Sequence, residues 1–268
     1  MKIIKKSNII NKIISRSKNV GFVPTMGTLH QGHISLIEKS KKECSKTVVS
    51  IFVNPKQFNK KKDFVSYPKK IMNDFKICKL HKVDYVFVPN FNEVYSWKTK
   101  KIIYPKLANI MEHKFRKNHF KGVMDVMSKL LSIINNTKVY MGEKDYQQLY
   151  IVKKLCKINK IQSKIISCKT IRSPKGYALS SRNLLLDKTS HEIMSNVFKI
   201  INEYKKTNMN KIFNVNFLKT KIKTIGIKKI DYINLINLIN FKAQKKISIK
   251  TNIFIAYYLK NVRLIDNI

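Results

Sequence analysis

Acidic residues are the scarcest class in this 268-residue chain. There are 15 Asp and Glu against 55 Lys and Arg, and the first acid is Glu38. An acidic-tail protein is excluded. Glycine (7) and proline (6) are few, which excludes a collagen-like repeat. The four cysteines, Cys44, Cys78, Cys156 and Cys168, include no Cys-x-x-Cys pair. A disulfide-knotted secreted scaffold, a zinc motif and a redox motif are therefore absent. These thiols read as buried groups in a reducing compartment, which places the protein in the cytoplasm. No apolar run reaches the ~18 residues that a membrane span needs. The basic N-terminus superficially resembles a transit peptide. However, Ile9, Ile10, Ile13 and Ile14 recur at helical spacing and a strand follows at Val20, so it reads as part of the fold.

The hydrophobic fraction is 44% and the aromatic fraction 10%, a globular composition. A chain of this length buries roughly 70–75% of its unfolded surface and needs no disulfide staple. Its formal net charge of +40 raises nucleic acid as a partner. The lysines are spread along the whole chain and are not gathered into one arm. Lys, Ile and Asn are abundant together, and all three have A/T-rich codons. The charge therefore reads as a solvated surface with weak, salt-sensitive affinity for polyanions and no specific nucleic-acid partner.

The apolar pattern alternates between strands and helices. Strands are expected at residues 20–24, 47–53, 84–88, 138–141 and 161–167. Helices are expected at 33–43, 67–81, 123–134 and 146–157. This order predicts an α/β fold with a Rossmann-like, doubly wound parallel sheet. Beyond Ile171 the pattern changes. Residues 172–187 read as a loop, followed by helices at 190–206 and 216–225. Strand-like runs follow at 229–234, 246–249 and 252–259. The expected division is therefore 1–171 for the sheet domain and 172–268 for a smaller α+β lid domain.

Chemistry concentrates at strand–helix junctions. The stretch Pro24-Thr25-Met26-Gly27-Thr28-Leu29-His30-Gln31-Gly32-His33 runs from a strand into a helix. Two imidazoles stand three residues apart around a glycine. A helix N-terminus offers unpaired N–H groups and a positive dipole end, which suits phosphate. The alternatives are a metal pair or two packed core histidines. No third ligand follows at useful spacing. Three further segments follow, two at strand ends and the third in the loop after the domain boundary. Asn54-Pro55-Lys56-Gln57-Phe58 follows a strand and offers an amide at Gln57. Gly142-Glu143-Lys144-Asp145-Tyr146-Gln147-Gln148 offers a point charge at Lys144, a carboxylate at Asp145 and an amide at Gln148. Ala178-Leu179-Ser180-Ser181-Arg182-Asn183 offers two hydroxyls and a bidentate guanidinium. Taken singly, these also read as an ordinary turn, a charged helix start and a Ser-rich loop.

The His-x-Gly-His stretch resembles the signature of the nucleotidyltransferase superfamily. All four segments in this order resemble the pantoate–β-alanine ligases, as does Asn118-His119-Phe120-Lys121-Gly122-Val123. The resemblance implies that pantoate and ATP give an acyl adenylate and pyrophosphate, and that β-alanine then displaces AMP. It implies that His33 is the proton donor and that His30 assists on the phosphates. Met26, Gly27, Thr28, Leu29, His30, Gln31, Gly32 and His33 would line the ATP site. Gly142, Glu143, Lys144 and Asp145 would hold ribose and phosphate, and Ile171 would lie against adenine. Leu179, Ser180, Ser181 and Arg182 would close over the triphosphate, and Gln57 and Gln148 would grip the pantoate. Mg²⁺ would ride on the phosphates with no protein metal site, and the chain would form a homodimer. Two positions depart from the family pattern. Leu179 replaces a methionine, and Arg116-Lys117-Asn118 replaces Arg-Pro-Gly, which weakens the expected rigidity of that turn. Another adenylyltransferase of the superfamily, a nucleic-acid-binding protein and a decayed enzyme are the competing readings.

Overall fold

The computed structural model describes residues 1–59 and 61–268. The first elements are β1 (Lys2–Ile4), α1 (Ser7–Ser15), β2 (Val20–Thr25), α2 (Gln31–Glu43), β3 (Lys46–Ile51), α3 (Lys61–Val65) and α4 (Ile71–Leu80). Then come β4 (Tyr85–Phe87), α5 (Phe91–Tyr95), α6 (Met111–Phe115), α7 (His119–Ile133), β5 (Lys138–Gly142), α8 (Tyr146–Ile158) and β6 (Lys164–Cys168). The remainder forms α9 (Lys188–Thr207), α10 (Val215–Thr224), β7 (Lys229–Asn237), β8 (Thr251–Leu259) and β9 (Val262–Asn267). Two compact units result: Met1–Glu143 with Gln148–Lys169, and Lys144–Gln147 with Thr170–Ile268. Nothing in the sequence pattern signals that the short Lys144–Gln147 stretch belongs with the second unit.

The first unit is built on a six-stranded sheet in the order β1-β4-β3-β2-β5-β6, with every pairing parallel. Its strands are apolar on both faces. Val23, Val49, Val86 and Tyr140 share one core with Leu36 and Ile37 of α2 and Cys78 of α4. Phe22, Val48, Phe87 and Val139 are their strand neighbours and point to the other face, where each is fully buried. A sheet buried on both faces is the doubly wound arrangement the sequence predicted. The expected helix at 67–81 is shorter than its pattern. Pro68 disfavours helical geometry at Tyr67, and α4 begins only at Ile71. The edge strand β1, three residues long, has too little sequence to show a period.

The thiols of this unit are buried. Burial, with the Asp74 carboxylate beside it, pushes the Cys78 thiol up to about 12. Burial alone pushes Cys156 up to about 11. Neither forms a thiolate near neutral pH, so both act as small apolar groups.

The second unit packs α9 and α10 against an antiparallel sheet, β7-β8-β9. Met194, Val197, Ile201 and Tyr204 form the buried stripe of α9 at helical spacing. The strand expected at 246–249 does not form. Lys246 makes one isolated bridge to Ile212, and the Ser248 N–H then bonds the Thr251 hydroxyl in a turn leading into β8. Conversely β9 was not expected, because Arg263 and Asp266 break its apolar run. Both side chains are largely buried in ion pairs.

Asp187 caps α9, accepting from the Ser190 N–H at 3.0 Å, and pairs with Lys260 in the β8–β9 turn at 2.6 Å. The Lys260 ammonium and the Ser190 groups hold this carboxyl well below the usual carboxylate range. A carboxyl with a depressed folded value stabilises fully above its unfolded value of about 4 and less as pH falls below it. Asp187→Ala is therefore expected to lower the melting temperature at about pH 7 and progressively less below about pH 4. Thermal melts across that range check this, and a pH-independent difference would remove the charge from the account.

Candidate active site

In the first unit the chain leaves β2 toward β3 on one side, and later places β5 on the other side of β2. The crevice at the carboxyl ends of β2 and β5 is thus a topological switch point, where open α/β sheets bind ligands. The His30–His33 stretch leaves β2 at this crevice. His30 is the N-cap of α2. Its Nδ1 accepts from the Gly32 N–H at 3.1 Å, while His33 Nδ1 accepts from the His30 N–H at 3.4 Å. Both rings therefore spend Nδ1 as an acceptor, which puts the proton on Nε2 in the neutral form. Their centroids are 4.2 Å apart. A Cβ at position 32 would lie 2.8 Å from the His30 ring, so only glycine lets that ring cap the helix.

The preceding turn is held by a residue that no sequence motif singles out. Asp74, 1% exposed in the first turn of α4, accepts from the N–H groups of Thr28 (2.9 Å) and Leu29 (2.7 Å). Thr28 has φ 54°, a strained geometry for a β-branched residue, and its hydroxyl donates to the Pro68 carbonyl at 2.6 Å. Gly27, Thr28 and Leu29 are buried, with the Leu29 side chain in the sheet core. Met26, His30, Gly32 and His33 are half-buried, and Gln31 is exposed. The signal for Asp74 was its rarity, a carboxylate amid many lysines, but sequence shows no partner for it.

Residues 54–58 rest on the start of α7. The buried Asn54 amide donates to the Gly122 carbonyl at 3.1 Å, and its oxygen accepts from the Tyr95 hydroxyl at 3.0 Å. The Gln57 carbonyl accepts from His119 Nδ1 at 2.9 Å, leaving a half-buried Gln57 side chain. A glycine inside a helix costs about 1 kcal/mol against alanine. Gly122 is needed because a Cβ there would lie 2.1 Å from the Lys56 carbonyl oxygen. Asn118, where the resembled family has glycine, takes φ 64°. Asparagine is among the non-glycine residues best suited to that region, so the turn survives the change.

β5 ends at Gly142, where an added Cβ would meet nothing within 4 Å, and Gln148 is half-buried. The second unit holds the other motif residues. A cleft is lined by Lys144, Ser180, Arg182 and Arg263, among others. It joins two sequence segments that were read separately. Asp145 is exposed and lies 3.7 Å from the Lys144 ammonium. The stretch expected as a loop, 172–187, carries a bridge and a short 3₁₀ turn. Arg172 bridges Ala178, and the Leu179 N–H bonds the Ile171 carbonyl. Ser180 then caps a short 3₁₀ turn, Ser181–Leu185, accepting from the Arg182 N–H. Arg263 was missed because strand β9 was missed.

Among the described residues no cluster of His, Cys, Asp or Glu could hold a metal ion, and no helix is long and apolar enough to cross a membrane. Paired imidazoles at a switch point of the first unit, and separately a cationic, hydroxyl-lined cleft on the second, are features of an α/β protein suited to phosphate groups. Comparison with known proteins gives the particular group. The family model for pantoate-beta-alanine ligase matches residues 2–268. Pantothenate synthetase of Francisella tularensis subsp. novicida is 41% identical over 266 residues, 98% of this chain and 94% of that one. The crystal structure of pantothenate synthetase from Thermus thermophilus covers the whole chain and 99% of its own, with TM-score 0.90 at 26% identity. A Francisella tularensis pantoate-beta-alanine ligase, complexed with beta-gamma ATP and beta-alanine, gives TM-score 0.84 at 40% identity, covering 100% and 97% of the two chains. The chain belongs to the pantoate–β-alanine ligase family.

Gly122→Ala is expected to cost about 1–3 kcal/mol, because the helix or residues 54–58 must yield. Urea unfolding measures it. A neutral or stabilising result, as alanine gives at an open helix site, would show that the contact with Lys56 is not a constraint.

Proposed function

We propose that the chain condenses (R)-pantoate with β-alanine to pantothenate at the expense of ATP. The pantoate carboxylate attacks the α-phosphorus, and pyrophosphate leaves. The β-alanine amine then attacks the acyl carbon of pantoyl adenylate, its proton is lost and AMP departs. The observation that carries the reading is the His30–His33 pair at the α2 N-terminus, with both Nδ1 atoms engaged so that Nε2 carries the proton. Membership of the family and the ligands of the Francisella structure support the same substrates.

The chain's groups suit this chemistry. Two anions must be held together, so the reacting centre needs cations and N–H donors. His33 donates to the phosphoryl oxygen on which charge grows, and His30 assists on the phosphates. Met26, Gly27, Thr28, Leu29, Gln31 and Gly32 complete that side of the ATP site. Because the Leu29 side chain is in the core, that residue acts through its backbone. Gly142, Glu143, Lys144 and Asp145 take ribose and phosphate, Ile171 takes adenine, and Leu179, Ser180, Ser181 and Arg182 take the triphosphate. Gln57 and Gln148 grip the pantoate. Mg²⁺ arrives with ATP, because the Lys144, Ser180 and Arg182 groups fit phosphate oxygens and not a metal ion. We place the enzyme in the cytoplasm, as four free thiols suit a reducing compartment, and infer a homodimer.

Pyrophosphate exchange into ATP, without β-alanine, is expected to depend on pantoate. No exchange from folded protein would overturn the reading. His33→Ala is expected to fold normally and to cut adenylation roughly 10²–10³-fold, and turnover comparable to the parent would remove its role. Gln57→Ala is expected to raise the KM for pantoate more than that for ATP; equal losses would contradict its assignment.

A further inference from the structure

Strand β9 presents buried polar groups to the same stretches of the second unit that carry the phosphate-binding residues. Arg172 makes a two-pronged pair with Asp266, at 2.8 and 3.0 Å. The same guanidinium donates to the Gly176 carbonyl at 3.0 Å and the Asn267 carbonyl at 2.8 Å. It also lies over the Phe198 ring, 4.7 Å from its centroid. One arginine thus ties the base of the 172–179 turn, ahead of Ser180 and Arg182, to β9. Asn267 makes the second tie. Its amide donates to the Lys144 carbonyl at 3.0 Å, and its oxygen accepts from Asn252 at 3.1 Å. Asn252 in turn accepts from Lys205 at 2.7 Å. Asp266 and Asn267 are 8% and 5% exposed.

We propose that Arg172, Asp266 and Asn267 form a positioning unit that sets Lys144 and the Ser180–Arg182 turn for the triphosphate. This rests on the functional reading above. The electrostatics supply a second role for Arg172. Asp266 lines the same cleft as Lys144, Arg182 and Arg263. An unpaired carboxylate there repels phosphate, and the guanidinium neutralises it while fixing its direction. Lysine in place of Arg172 keeps the charge but cannot bridge both oxygens and the two carbonyls.

Calorimetric titration with MgATP tests the proposal, together with steady-state KM values for ATP and pantoate. Asn267→Ala and Arg172→Lys are expected to weaken MgATP binding by roughly tenfold or more, as misplaced binding groups do, while the KM for pantoate stays within about twofold. Asp266→Asn, which removes the charged acceptor of the two-pronged pair, is expected to weaken MgATP binding in the same direction. Circular dichroism melts run alongside, and Asn267→Ala serves where Asp266→Asn fails to fold. Folded variants with unchanged MgATP affinity, or with both KM values raised equally, overturn the positioning role alone. A parent enzyme that binds no MgATP overturns the functional reading, and this proposal with it.

Discussion

The histidine turn depends on one carboxylate. Asp74 accepts two consecutive backbone N–H groups from a turn whose middle residue, Thr28, is held at a left-handed φ. Hydrogen bonds to a charged acceptor contribute about 1.5–3 kcal/mol each, enough to offset the strain. The constraint runs forward along the chain. A fixed Leu29 sets where His30 begins α2, and the capping pattern of the two histidines sets their tautomers. The presentation of the two Nε2 atoms is thus arranged by a residue that is itself fully buried.

Asp74 is one case of a wider economy. With so few acids in the chain, many of those the structure describes hold specific links. Asp84 joins Lys41, Lys46 and the Thr47 N–H. Burial disfavours its charge, but those donors win and hold its carboxyl below the usual range. Glu93 links Lys6 and Ser7 to α5. Glu43 accepts from the Tyr140 hydroxyl, and burial with that carboxylate and the Cys44 thiol pushes the phenol up. Asp231 and Asp266 take the arginines of the second unit. The surface charge is a background, whereas the acids are the specific part.

The sheet was legible because its strands are short apolar runs buried on both faces, separated by helices with a clear stripe. The histidine and Gln57 segments stand out in the sequence because polar residues begin where β2 and β3 end, and Ser180–Arg182 because it lies in a polar loop. What stayed hidden depends on distant partners. Asp74 looks like any helix residue until Thr28 and Leu29 are seen above it. β9 has two charges in an apolar run, and only the pairing of Arg172 with Asp266 and of Arg263 with Asp231 shows that these face inward. The grouping of Lys144–Gln147 with the second unit has no local signal, because it arises from contacts made a hundred residues later.

The parallel order of the sheet has a consequence for how the chain reaches its folded state. β2 finds β3 nearby, but its other edge waits for β5, and Phe22 pairs with Val139, 117 positions further on. Pairings of this span make folding slow, and they leave the central strand with an open edge in the interim. An exposed edge is a template for another molecule's strand. Chains of high like charge repel one another, which opposes association across such an edge.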